Sequence, residues 1–161
     1  MKFCRYMYWT DWGGVAKIER ASMDGSDRRT LHSTGLIWPN GLTIDYSAQK
    51  IYWVDASLDR IEYSNVDGSG RFVLFSGLDH PFSLTLEENL LFWTDWFNDA
   101  IHVTHKISGA SAGNLTLFSN LRDRPFGIEA VSSARQAQNG ELSLSHPYPP
   151  PLPLIPYSFS C

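Results

Sequence analysis

The sequence predicts an all-β fold built from tandem small sheets. Three observations predict it. A four-residue phrase recurs as Tyr8-Trp9-Thr10-Asp11, Tyr52-Trp53-Val54-Asp55 and Phe92-Trp93-Thr94-Asp95, with 44 and then 40 positions between successive tryptophans. Prolines that open fresh apolar runs recur in phase, at Pro39, Pro81 and Pro125, 42 and 44 positions apart. No stretch of ten residues carries apolar side chains at helical period. A period of 40 to 44 around a Trp-x-Asp core is the mark of propeller blades, each a four-stranded sheet.

The elements of one blade follow in order. Its first strand comes after the proline, as in Trp38-Pro39-Asn40-Gly41-Leu42, His80-Pro81-Phe82-Ser83-Leu84 and Arg124-Pro125-Phe126-Gly127-Ile128. Proline can open a strand where its missing N–H has no ladder partner. This strand is expected nearest the central axis. The Trp phrase is the second strand. The third is Lys17-Ile18-Glu19-Arg20, Arg60-Ile61-Glu62-Tyr63 and Ala100-Ile101-His102-Val103. A turn follows at Asp24-Gly25-Ser26 and Asp67-Gly68-Ser69, where glycine accepts positive φ; the third copy is the degenerate Ser108-Gly109-Ala110. Arg29-Thr30-Leu31, Arg71-Phe72-Val73-Leu74 and Leu115-Thr116-Leu117-Phe118 supply the outer fourth strand.

The phase of these pieces sets the organisation. The chain enters on a second strand at Tyr6 to Asp11, runs through two whole blades, and leaves soon after a first strand at Phe126 to Val131. Residues 6–131 therefore hold about three blades, fewer than the roughly four to eight of a closed propeller. Residues 132–161 are of another kind. Ser145 to Pro156 holds six of the nine prolines, a run that favours extended polyproline and cannot build a core. It is expected to be disordered, with an SH3 or WW ligand as the alternative.

Composition narrows the function classes. Net charge is −4 with no basic run, which argues against nucleic acid. No run of 18 apolar residues provides a membrane span. Met1-Lys2-Phe3-Cys4 leads straight into the first strand, so no signal peptide is expected. Asn114-Leu115-Thr116 is an N-glycan acceptor triplet. Cys4 and Cys161 are too few for a disulfide framework, and no Cys/His cluster points to a metal or a cofactor.

The phrases Tyr-Trp-Thr-Asp, Lys-Ile-Glu-Arg, Met-Asp-Gly-Ser, Trp-Pro-Asn-Gly-Leu-Thr-Ile-Asp-Tyr and His-Pro-Phe-Ser-Leu-Thr-Leu resemble the class B repeats of the low-density-lipoprotein receptor family. Within it they are most similar to the receptor-related proteins of the Wnt co-receptor type. The resemblance implies part of a six-bladed propeller from the extracellular side of a single-pass receptor. Such a module would bind secreted or matrix protein ligands for endocytosis or Wnt-type signalling. The EGF-like cysteines that the resemblance implies after Arg135 are not there, and the Pro-rich run stands in their place. A spliced, mis-predicted or truncated form, unable to close its ring, is the alternative.

Candidate residues sort by physical role. Trp9, Trp53 and Trp93 are expected between blades, and Asp11, Asp55 and Asp95, just past strand ends, are expected to hold turns through backbone N–H groups. Asp45, Glu87 and Glu129 recur at 42 and 42 and are read as turn residues rather than as a calcium or hydrolase set of the lactonase type. Segments at the start of each first strand and after each Trp-x-Asp should emerge at one end. That end would carry Trp12, Trp38, Asn40, Phe82, Trp96, Arg124 and Phe126, the composition of a protein-binding hot spot. In the resemblance, Asn40 and Trp38 match best the face that takes short Asn-containing loops. The competing reading packs these aromatics between blades. His80, beside Pro81, is the one histidine placed to sense endosomal acidity.

Overall fold

The computed structural model describes residues 5–107 and 115–131. These residues form three antiparallel sheets and no helix. The first sheet runs β1 (Tyr6–Asp11), β2 (Lys17–Ser22), β3 (Arg29–His32). The second runs β4 (Pro39–Asp45), β5 (Lys50–Asp55), β6 (Arg60–Asn65), β7 (Phe72–Ser76). The third runs β8 (Pro81–Glu87), β9 (Leu90–Asp95), β10 (Ala100–His105), β11 (Leu115–Phe118). The architecture is a partial propeller. Ser108 to Asn114, Cys4, Cys161 and residues 132–161 lie outside the described residues.

Packing explains the residue pattern. Ile51 and Trp53 of β5 pack on Ile18 with Tyr8 and Leu31 of the first sheet. Tyr52 and Val54, on the other face of β5, pack with Leu84, Leu91 and Trp93 of the third. A strand covered on both faces reads as a continuous apolar run, and Ile51 to Ala56 is buried throughout. Trp53 and Trp93 thus each pack on the preceding sheet. Trp53 is 0% exposed and Trp93 1%. Trp9 is only half-buried, since no described sheet precedes its own, and the Arg28 guanidinium lies 5.4 Å from its ring.

Ionic contacts tie the sheets together. Glu62 receives Arg71 at 2.7 Å and Arg60 at 2.8 Å, while Arg71 donates across to the Thr34 and Gly35 carbonyls at 2.6 and 2.9 Å. Glu19 takes Arg28 at 2.7 Å in the same place on the first sheet. Lys106 bridges to Asp45 of the second sheet at 2.5 Å, with both side chains largely buried. The inner strands approach closely at Gly41, where an added Cβ would clash with the backbone of Ser83 and Leu84. A bulge between Pro39 and Leu42 sits at that point.

The structure corrects three sequence expectations. Phe126 to Val131 is not a strand. It lies alongside β8, with Ile128 N–H donating to Ser83 Oγ at 3.2 Å and Ala130 N–H to Thr85 Oγ1 at 3.1 Å. A strand needs a backbone ladder, and no described Trp strand follows to provide one. Asp11, Asp55 and Asp95 are the last residues of β1, β5 and β9 rather than residues beyond them. Glu129 does not continue the Asp45 and Glu87 series. Counted from its proline it stands level with Thr43 and Thr85, because the Pro81 to Pro125 interval is two residues longer than the one before.

Candidate functional site

The site begins with the strand-end aspartates. Asp55 accepts the N–H groups of Ile37 (2.9 Å), Trp38 (3.1 Å), Ser57 (3.1 Å) and Leu58 (3.1 Å). Asp95 accepts those of His80 (3.0 Å), Phe97 (2.9 Å) and Asn98 (3.0 Å). A short carboxylate at a strand end satisfies turn N–H groups that the ladder cannot reach. Each aspartate thereby grips the residue just before a proline. That residue is gripped again through its carbonyl, since Ala56 N–H donates to Trp38 and Trp96 N–H to His80. The repeat motif therefore sets the backbone of Trp38 and His80.

From these anchors a row of rings runs across one end of the sheets. Trp12 meets Trp38 edge-on at 6.4 Å, and Trp38 meets His80 at 6.2 Å. His80 meets Trp96 at 6.1 Å. Phe82 stacks on Trp96 at 3.9 Å and 14°, and Phe126 packs edge-on against both, at 5.7 and 5.0 Å. The Arg124 guanidinium lies 5.9 Å from the Trp96 ring. Aromatic ring pairs of this kind contribute about 0.5–1.5 kcal/mol each beyond their buried area. Trp96 is fixed further by its Nε1–H, which donates to the Pro125 carbonyl at 2.9 Å.

Six of the seven candidate residues thus lie in one connected set, with His80 as the bridge. The seventh, Asn40, sits beside it and accepts Thr10 Oγ1–H through its backbone carbonyl at 2.7 Å. Trp12 is 60% exposed, Trp38 44% and Phe126 63%, so these rings face solvent rather than a neighbouring sheet. Phe82 and Trp96 are half-buried, and they support the row. Acidic groups lie close by. Burial pushes the Asp59 carboxyl up; nearby His80 opposes this, and Asp95, Asp79 and Asp55 add to the rise.

Sequence reasoning missed the polar set between the sheets. His32, from the outer strand of the first sheet, shares a 3.0 Å hydrogen bond with Ser64 and lies 5.1 Å from the Trp53 ring. Burial, and then the Arg71 charge, hold its pKa below the ordinary histidine value, while Glu62 opposes them. The arginine that arms each glutamate follows it by nine positions, Glu19 to Arg28 and Glu62 to Arg71. That spacing was the available signal. The third repeat places His102 there instead, 5.2 Å from Trp93. No group of three or more His, Cys, Asp or Glu among the described residues could hold a metal ion. No helix among them is long and apolar enough to cross a membrane.

Tandem sheets that end in Trp-x-Asp and stack through their tryptophans define a segment of a YWTD propeller. The family model for low-density lipoprotein receptor repeat class B matches residues 5–46 and 49–86. The chain belongs to that family. It is 46% identical over 104 residues to the vitellogenin receptor Yl of Drosophila melanogaster, covering 64% of this chain and 5% of that receptor. It is 41% identical over 129 residues to the vitellogenin receptor of Solenopsis invicta, covering 80% of this chain and 7% of that one. The chain therefore spans a small part of the receptors it matches. A chain in the crystal structure of a nidogen/laminin complex superposes with a TM-score of 0.68 at 33% identity, over 77% of this chain and 47% of that one. A Xanthomonas campestris gluconolactonase superposes at 0.61 with 15% identity, over 80% and 48%, a likeness of fold alone.

Proposed function

We propose that this segment is an extracellular, non-catalytic ligand-binding module of a low-density-lipoprotein-receptor-related cell-surface receptor, and that it takes a secreted protein through its aromatic end. The observation that carries this reading is the connected row Trp12, Trp38, His80, Trp96, Phe82 and Phe126, with three of its rings largely open to solvent. Tryptophan and arginine are the side chains over-represented where binding energy concentrates. The similarity to vitellogenin receptors makes vitellogenin the first ligand to test, with uptake by endocytosis as the cellular outcome. Neither of these relatives is a Wnt co-receptor, so they add nothing to a Wnt-type role.

Immobilised vitellogenin and the 161-residue chain provide the test. Trp38→Ala and Asn40→Ala should each weaken binding about 30-fold, the scale of a 2 kcal/mol hot spot, with circular dichroism unchanged. Unaltered affinity in both variants would show that the aromatic end is not the docking face.

A further inference from the structure

Two basic side chains share one tryptophan in the junction between the first and second sheets. His32 closes β3 and is 9% exposed, with its ring 5.1 Å from that of Trp53. The Arg71 guanidinium lies 5.5 Å from the same ring. Ser64 Oγ–H donates to the Asn65 carbonyl at 3.0 Å, and a hydroxyl has one proton to give. Its oxygen therefore accepts from His32 Nε2–H at 3.0 Å, so the neutral ring carries its proton there and has Nδ1 left to take another. In the second sheet Phe75 stands at the matching position, since Ile18 pairs with His32 and Ile61 with Phe75. Of these two junctions, only the first can take up a proton at that point.

The charges around His32 oppose a second cation. Glu62 Oε1 receives Arg60 at 2.8 Å and Arg71 at 2.9 Å, and its Oε2 receives Arg71 at 2.7 Å. These three side chains together carry one positive charge before His32 takes a proton. Asp55, on the same face of β5 as Trp53, is engaged with four backbone N–H groups. On β1, Tyr8 gives its hydroxyl to the Val66 carbonyl at 3.2 Å. On β2, the residue opposite His32 is Ile18, and Arg20 lies 4.3 Å over the Tyr6 ring. A cationic His32 would therefore face Arg71 across Trp53, in a place largely closed to water where like charges repel strongly. Burial and the Arg71 charge already hold the His32 pKa below the ordinary histidine value, with Glu62 opposing them.

Arg71 also holds the loop that follows His32. Ser33 to Ile37 join His32 to Trp38. Arg71 Nη1–H donates to the Thr34 carbonyl at 2.6 Å and Nη2–H to the Gly35 carbonyl at 2.9 Å, where Arg60 Nη2–H also donates at 2.9 Å. Gly35 turns there with a φ of 60°. Asp55 holds the far end of the loop through the Ile37 and Trp38 N–H groups. We propose that His32 is a proton-operated latch on this loop. Neutral, it leaves Arg71 on the Trp53 ring and the loop clamped. A proton taken from solvent onto Nδ1 moves Arg71 off that ring, frees the Thr34 and Gly35 carbonyls, and shifts Trp38 within the aromatic row. The bearing of this on a ligand rests on the docking face proposed above; the latch itself does not.

Fluorine NMR of the 161-residue chain carrying 5-fluorotryptophan tests the latch without any ligand, so its failure leaves the docking face untouched. A His80→Phe background removes the histidine that meets the Trp38 ring directly, and Trp38→Phe assigns the Trp38 signal. That signal should move between about pH 7.5 and about pH 5, together with the His32 titration followed by carbon NMR, with a midpoint below about 6.5. In His32→Gln it should stay at its neutral position. His32→Phe, which matches Phe75 of the second sheet, should do the same. In Arg71→Met the signal should stand at the acid position throughout. Equal pH dependence in both His32 variants, a Trp38 signal indifferent to pH, a His32 that does not titrate in this range, or an Arg71→Met chain that keeps the full response would each overturn the latch.

Discussion

Asp45 shows how much one side chain can contribute to joining two sheets. It sits on β4, 4% exposed, and takes Ser47 Oγ–H at 2.6 Å, Ala48 N–H at 2.9 Å and the Lys106 ammonium at 2.5 Å. Burial alone would raise its pKa. Lys106, Ser47 and the Ala48 N–H outweigh burial and bring it down to about 2 from 3.8. The unfolded chain therefore takes up this proton first as the solution is acidified. The contribution is complete above the ordinary carboxylate value and is lost as pH falls through about 2. Its size is about 2 kcal/mol. Urea unfolding of Asp45→Asn should show that deficit near neutral pH, narrowing as pH approaches 2. A deficit that stays constant with pH would mean that the carboxylate charge is not what joins the sheets.

At the scale of the strand, the last residue decides what the next loop does. The three aspartates have the same sequence context but different surroundings. Asp55 holds four N–H groups and Asp95 three, while Asp11 holds that of Gly13 and is otherwise half open to solvent. Charge-assisted bonds at a buried site are worth more than a single exposed turn contact. Asp55→Ala should cost at least about 3 kcal/mol, because it strands buried donors in two loops at once. Asp11→Ala should cost about 1 kcal/mol or less. Thermal unfolding of the two variants side by side checks this, and equal losses would contradict it. Asp55→Ala should also loosen Trp38, since its carboxylate sets the Ile37–Trp38 backbone. Quenching of Trp fluorescence by acrylamide is expected to rise accordingly.

Across the whole molecule, stability lies in the two junctions between sheets. Trp53 fills the first junction with Ile18 and Ile51, and Trp93 fills the second with Tyr52, Leu84 and Leu91. Trp53→Ala should cost about 3–5 kcal/mol, the usual loss for a large enclosed ring. Trp9→Ala should cost clearly less, as its ring is half open. Guanidinium unfolding of both variants measures the difference. Comparable losses would contradict this assignment of stability to the two junctions.

The spacing of tryptophans, prolines and Asp-Gly turns was enough to read the strands, their order within each sheet, and the end at which Trp12, Trp38, Phe82, Trp96 and Phe126 emerge. Such features are legible because they obey local rules: alternation along a strand, positive φ at glycine, and the missing donor of proline. Other features depended on what lies beside each element. Trp9, Trp53 and Trp93 share one phrase, yet only two are enclosed, because enclosure belongs to the neighbouring sheet and not to the phrase. Phe126 to Val131 repeats the blade-opening phrase but forms no strand, because a ladder takes two chains of backbone. His80 became the link in the aromatic row, and Lys106 the partner of Asp45, through approaches between sheets that no local pattern records. Residue type and period determine which elements form. Which surfaces are covered, and which charges meet, is settled only when those elements pack against one another.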